Sequence, residues 1–190
     1  MARRVASPLE LGRSFVRLEY QKQDAPLLLL WKGNGRYVGS RPECATLFGG
    51  VSIGNDYYPV SRRLMVQFLE GGRKEDLAGM AVPRRAYRPA GRLFRLTGAI
   101  PRVPAGLDEL SAPIADLEGD GKGVPIPIKQ YLKTGGKLVG FNVDGGFSNA
   151  LDALILVDLR NLPPAPLERY LDKPGAGAFS AWHALNRGVA

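Results

Sequence analysis

Two short apolar runs, each leading through a turn to a proline and then to a longer helix-like segment, set the strongest limit on how this chain can fold. Leu9–Val16 has the length of a strand. Pro26 then stands at a first helical position, where its missing N–H leaves no bond unmade, and the segment continues from Leu27 to Gly39 until Arg41-Pro42 ends it. Ala45–Ile53 repeats the arrangement as a short, largely apolar run, the pattern of a strand buried on both faces. After the turn Gly54-Asn-Asp-Tyr-Tyr, Pro59 opens a second helix that Gly71-Gly72 stops. In it Val60, Leu64, Met65 and Phe68 are expected to be buried, and Arg62, Arg63 and Gln67 exposed.

Downstream the pattern loosens. Residues 73–106 are rich in Arg, Pro and Gly and lack sustained periodicity, which reads as a long excursion with a short helix around Glu75–Met80. Helices are expected over Leu107–Leu117 and Pro125–Thr134, strands over Lys137–Val143 and Leu151–Leu159, and a brief helix over Pro163–Leu171. The remainder is Gly/Ala-rich and expected to be mobile. The order describes an α/β layered domain over residues 1–172, with a flexible tail over 173–190 and no internal repeat.

With 190 residues, 45% of them hydrophobic and 23% charged, the chain has the length and composition of one ordinary globular domain. Its single cysteine, Cys44, excludes an internal disulfide framework and suits a reducing compartment. The longest apolar run, Ala25–Trp31, is about one-third of a membrane span. Arg3 and Arg4 are followed by no apolar stretch of the kind a signal peptide needs. A cytoplasmic protein is therefore expected.

The net charge of +8 is unevenly distributed. Residues 71–102 carry eight basic side chains (Arg73, Lys74, Arg84, Arg85, Arg88, Arg92, Arg95, Arg102) against two acidic ones, while residues 103–190 are slightly acidic. Such a segment attracts a polyanion: nucleic acid, an anionic lipid surface or an acidic carrier protein. It is equally what a solvated basic loop looks like. Nucleic acid is not expected, since only Tyr87 and Phe94 interleave the cations and no binding module accompanies them.

Several residue groups have chemistry to offer. Gln21-Lys-Gln-Asp-Ala-Pro leads into a helix start, where free N–H groups favour an anion and Lys22 adds charge, although any strand-to-helix connection has this form. Glu10 and Arg13 are three apart and point to opposite faces of a regular strand; Gly12 would permit the bulge that brings them to one site. An internal ion-pair network is the alternative. Asp56, Tyr57, Tyr58 and Ser61 gather at the turn after Ile53, where a hydroxyl could serve a leaving group or simply pack.

Other signals fail. The stretch Asp116–Gly121 begins like a calcium loop, but Pro127 occupies the place of the bidentate glutamate. Gly33-Asn-Gly-Arg-Tyr-Val-Gly39 has the wrong spacing for a dinucleotide fingerprint and follows no strand. His183 has no Cys, Asp or Glu at ligand spacing, so neither a zinc site nor a Ser-His-Asp triad is expected.

Four stretches together resemble the acyltransferases of the GNAT superfamily: ELGRSFVRLEYQ (10–21), LLLLWKGNGRYV (27–38), LFGGVSIGNDYYPVSRRLMVQFL (47–69) and DGKGVPIPIKQYLKTGGKLVGFNVDGGFSNALDALILVDL (120–159). They are similar in particular to ornithine-lipid N-acyltransferases and the bacterial hemolysin-like proteins. They also resemble acyl-homoserine-lactone synthases, whose corresponding strand carries a Glu-x-x-Arg-type pair matching Glu10 and Arg13. The resemblance implies a GNAT-like α/β fold, a mixed sheet flanked by helices. The resemblance further implies an N-terminal truncation of that fold, since relatives place a strand-helix-helix-strand-strand segment before the ELGRS-like strand.

What the resemblance implies chemically is transfer of a fatty acyl group from a phosphopantetheine thioester to an amine such as ornithine, in lipid biosynthesis. The pantetheine arm would lie in a V-shaped opening between strands Leu9–Val16 and Leu47–Ile53. The backbone of Ser14, Phe15, Val16 and Arg17 would hold it, and its phosphate would meet Gln21, Lys22 and Ala25. The superfamily's usual pyrophosphate loop is replaced here by Gln21-Lys-Gln-Asp-Ala-Pro, which favours an acyl carrier protein over coenzyme A as donor. No tightly bound cofactor and no metal are expected. Glu10 would deprotonate the amine, N–H groups near Ser14 and Phe15 would meet the oxyanion, and Arg13 would orient Glu10 or grip an acceptor carboxylate. Tyr57, Tyr58 or Ser61 would protonate the thiolate. Expected partners are a carrier protein, an amine-bearing small molecule and, peripherally, an anionic membrane at the inner face of the cell membrane. A domain accompanying lysolipid O-acylation, or a non-catalytic docking module, are the rival expectations.

Overall fold

The computed structural model describes residues 8–88, apart from 13, 15 and 21–23, and residues 106–186. Its elements run β1 (Leu9–Glu10), α1 (Asp24–Ser40), β2 (Thr46–Ile53), α2 (Pro59–Gly71), α3 (Leu107–Glu118), α4 (Ile126–Lys133), β3 (Lys137–Asp144), β4 (Ala150–Asp158), α5 (Pro164–Leu171) and α6 (Lys173–Leu185). Short 3-10 turns lie at Leu18–Tyr20, Glu75–Leu77 and Leu159–Asn161. The four strands form one sheet in the order β1-β2-β4-β3. It is mixed: β1 pairs parallel with β2, and β3 antiparallel with β4. The architecture is α/β, a mixed sheet flanked by helices, compatible with a GNAT-like fold.

The chain divides into two compact units, one of residues 1–49 with 157–190 and one of residues 50–156. In the first, α1, α5 and α6 pack on one another. Glycines make this possible: a Cβ at Gly35 would strike the Tyr170 carbonyl, and one at Gly39 would lie 3.3 Å from the Cα of Gly175. The stretch that failed as a nucleotide fingerprint is thus a close-packing surface. Trp31 meets Tyr170 edge-to-face with ring centroids 5.7 Å apart. Residues 173–185, expected to be a mobile tail, are instead a helix with Ala176 and Phe179 buried. Asp172 caps it by accepting from the Gly175 N–H at 2.9 Å, and His183 Nε2 lies 2.8 Å from the Pro42 carbonyl. That oxygen can only accept, so Nε2 carries the proton.

In the second unit α2 packs against α3 and approaches β3. Along β4, Leu151, Ala153 and Ile155 are fully buried, with half-buried residues between them, as befits a central strand. The β3–β4 register runs from Lys137↔Leu156 to Asp144↔Ala150, with an irregularity between Leu138 and Gly140. The buried face of α2 differs from the expected one: Ser61, Leu64, Met65, Val66 and Leu69 are buried, while Val60 and Phe68 are only half-buried. Arg62, Arg63 and Gln67 are half-buried as well. Arg62 Nη1 donates to Asn55 Oδ1 at 2.6 Å and its Nη2 to the Asn149 carbonyl at 3.4 Å, which draws this side chain along the protein rather than into water.

Candidate functional site

The first candidate region is the β1 edge. The strand expected over Leu9–Val16 is a ladder of two residues, Leu9↔Leu47 and Glu10↔Phe48, extended by the Leu11 N–H donating to the Phe48 carbonyl at 2.8 Å. Among the described residues the ladder ends there. Glu10 is exposed, and its carboxylate lies back over the next turn of chain: a Cβ on Gly12 would be 2.7 Å from Glu10 Oε1. Ser14 is exposed and Val16 half-buried. The Arg17 guanidinium pairs with Glu19 at 2.7 Å, and its carbonyl accepts from the Tyr20 N–H at 2.9 Å. Both polar ends of Arg17 are therefore engaged locally. Arg13, Phe15, Gln21 and Lys22 lie outside the described residues. Ala25 falls in the first turn of α1, which begins at Asp24, two residues ahead of the expected proline start.

The second region is the turn between β2 and α2. Tyr58 is the residue that caps α2; it offers no side-chain cap, and the residue is 58% exposed. Its N–H is taken instead by Glu118 Oε1 at 2.9 Å, a buried carboxylate at the end of α3. A negative charge at a helix start is favourable. The Tyr57 hydroxyl donates to the Gly123 carbonyl at 2.8 Å. Burial, with the neighbouring Asp56 carboxylate second, pushes the Tyr57 phenol above its ordinary pKa. Ser61, expected to present its hydroxyl at this turn, is wholly buried, and its Oγ has no hydrogen-bond partner among the described residues. Of the three hydroxyl candidates, Tyr58 alone is exposed.

Lys122 organises this turn and was not legible in advance. Its ammonium donates to the Asp56 carbonyl at 3.0 Å and to Asp56 Oδ2 at 3.1 Å, and lies 3.5 Å from both Glu118 and Asp120. It also sits 4.9 Å from the centre of the Tyr57 ring. The hydrogen bond to Asp56 above all raises the Lys122 pKa, so the ammonium stays charged. The stretch that begins like a calcium loop is thus closed by a cation from its own chain. Just beyond that stretch, a Cβ at Gly123 would strike the Ser111 hydroxyl.

Glu10, Ser14, Val16 and Arg17 belong to the first compact unit, and Tyr58 and Ser61 to the second. No helix among the described residues is long and apolar enough to cross a membrane. Compared with family models, curated proteins and solved structures, the chain matches none of them.

Proposed function

We propose that this chain is a fatty-acyl transferase, moving an acyl group from a phosphopantetheine thioester to an amine. One observation carries the reading. Glu10 stands exposed on the last residue of a strand that leaves its parallel partner at once, with its carboxylate folded over Gly12. A strand that parts from its neighbour frees backbone N–H and C=O groups from the ladder. Those groups are then available to a bound arm or a developing oxyanion. An exposed carboxylate beside them suits a general base for an ammonium-bearing acceptor. The resemblance of residues 10–21, 27–38, 47–69 and 120–159 to the GNAT superfamily suggests the reaction class, and the mixed α/β sheet is compatible with it.

In this mechanism Glu10 takes a proton from the acceptor nitrogen as it attacks the thioester carbonyl. The C–N bond forms, the tetrahedral oxyanion collapses, and the C–S bond breaks. The departing thiolate takes its proton from solvent; of the hydroxyls expected to supply it, that of Tyr57 is engaged, that of Ser61 is buried, and Tyr58 belongs to the other compact unit. An acyl carrier protein is the proposed donor and ornithine or another amino acid the proposed acceptor.

The test is thioester turnover by the full chain, with acyl carrier protein and coenzyme A thioesters as donors and amino acids as acceptors. Glu10→Gln is expected to lower turnover by about 100-fold or more while leaving donor binding intact, the usual range for loss of a general base. An unchanged rate in that variant, or no turnover by the parent chain with either donor, overturns the reading.

A further inference from the structure

The β3–β4 turn of the second unit combines fixed positive charge with an exposed aromatic ring. Arg85 is fastened against it. Its N–H donates to Asn142 Oδ1 at 3.0 Å, its carbonyl accepts from the Val143 N–H at 2.8 Å, and its Nη1 donates to Asn149 Oδ1 at 2.9 Å. Arg62 reaches the same residue from α2 through the Asn149 carbonyl, and holds Asn55 with its other terminal nitrogen. Every one of these acceptors is an amide oxygen. Both guanidinium groups are thus held in position by neutral partners that leave their charge uncompensated. Asp144, the carboxylate at the start of the turn, accepts from the Gly146 N–H through Oδ1 at 2.8 Å.

Around this pair the surface continues in the same character. Arg84 and Arg88 are exposed, with no hydrogen bond or ion pair to another described residue. Phe147 stands at the turn with 65% of its surface in water. Left-handed backbone at Ser148 and Asn149, φ 50° and 55°, brings the chain round beside it. Val82 is 88% exposed, three residues before Arg85 and so within about 11 Å of it by chain length alone.

We infer that this turn and the 82–88 segment form a docking surface for an anionic lipid bilayer. Phe147 enters the headgroup layer, where an aromatic ring finds an apolar environment at modest depth, and Val82 follows it. The arginines grip lipid phosphates, to which a planar guanidinium fork is matched. The chain's net charge of +8 supplies the longer-range attraction to such a surface. An acidic protein would match the charge but gives no account of two apolar side chains held out in water beside it. The inference stands on this surface alone and not on acyl transfer, so the two fail separately.

Co-sedimentation of the full chain with vesicles tests it. Binding is expected to phosphatidylcholine vesicles containing phosphatidylglycerol and not to phosphatidylcholine alone. It should weaken steeply as salt shortens the Debye length to about 3 Å. The double variant Arg84→Gln/Arg88→Gln, which breaks no described contact, should lose about tenfold or more in partitioning. Phe147→Ser should lose about tenfold at unchanged net charge. Equal binding to neutral and anionic vesicles, parent-like binding by both variants, or binding to an acidic carrier protein without binding to vesicles would each overturn the inference.

Discussion

A methyl group added at Gly12 would sit 2.7 Å from Glu10 Oε1 and drive the carboxylate from its present place. Under the proposed acyl-transfer mechanism, Gly12→Ala is therefore expected to lower turnover by about tenfold or more, because displacing the proposed base is costly even over short distances. Gly12 is exposed, so the unfolding midpoint should barely move; kinetics and denaturant titration on the same variant check both halves. His183 makes a different kind of prediction. Burial lowers its pKa below the ordinary 6.5, against the opposing pull of the Pro42 carbonyl. The unfolded chain then binds a proton at a higher pH than the folded one does. This contribution to stability is complete above about pH 6.5 and is lost as pH falls from there toward the folded value. Thermal melts across that interval should show an acid limb that His183→Gln flattens.

Helix α1 shows how far local sequence reaches. Its extent was legible from an apolar run closed by Arg41-Pro42, but the use of its glycines was not. The close approaches at Gly35 and Gly39 are to backbone of Tyr170 and Gly175, far along the chain, and nothing local announces them. Gly33 lies in the same helix with nothing near its would-be Cβ. Gly35→Ala should destabilise by about 1–3 kcal/mol through overpacking, and Gly33→Ala should stabilise by up to about 1 kcal/mol through helix propensity. Urea titrations of the two variants measure opposite signs from one chemical change. Helix α6 was readable in part: Asp172 followed by Pro174 is an N-cap with proline in the first turn, a stop-start signal that the Gly/Ala composition hid. Arg62 of α2 is half-buried rather than exposed because Asn55 and Asn149, neither on the helix, hold it along the protein. The Lys122 clamp escaped for the same reason, since it joins residue 122 to a turn 66 positions earlier.

Across the molecule, three of the four strands and most helix boundaries follow from apolar runs and proline placement, whereas the short β1 and the side-chain networks depend on which distant segments meet. Tyr131 carries that difference into bulk behaviour. It is buried in α4, and loss of hydration pushes its phenol up to about 12. Between about pH 10 and that value the folded chain keeps a proton the unfolded chain has released, so stability falls as pH rises through the window. Tyr131→Phe should flatten this alkaline limb in melts taken from pH 9 upward. The division of the chain has a consequence in time as well. The unit of residues 50–156 is one continuous stretch, while the other joins residues 1–49 to 157–190. During synthesis the continuous unit can close as soon as it leaves the ribosome. Helix α1 must wait for α5 and α6, with Gly35 and Gly39 bare until their partners arrive. Assembly of this fold therefore finishes where it began, at the N-terminal segment that carries Glu10.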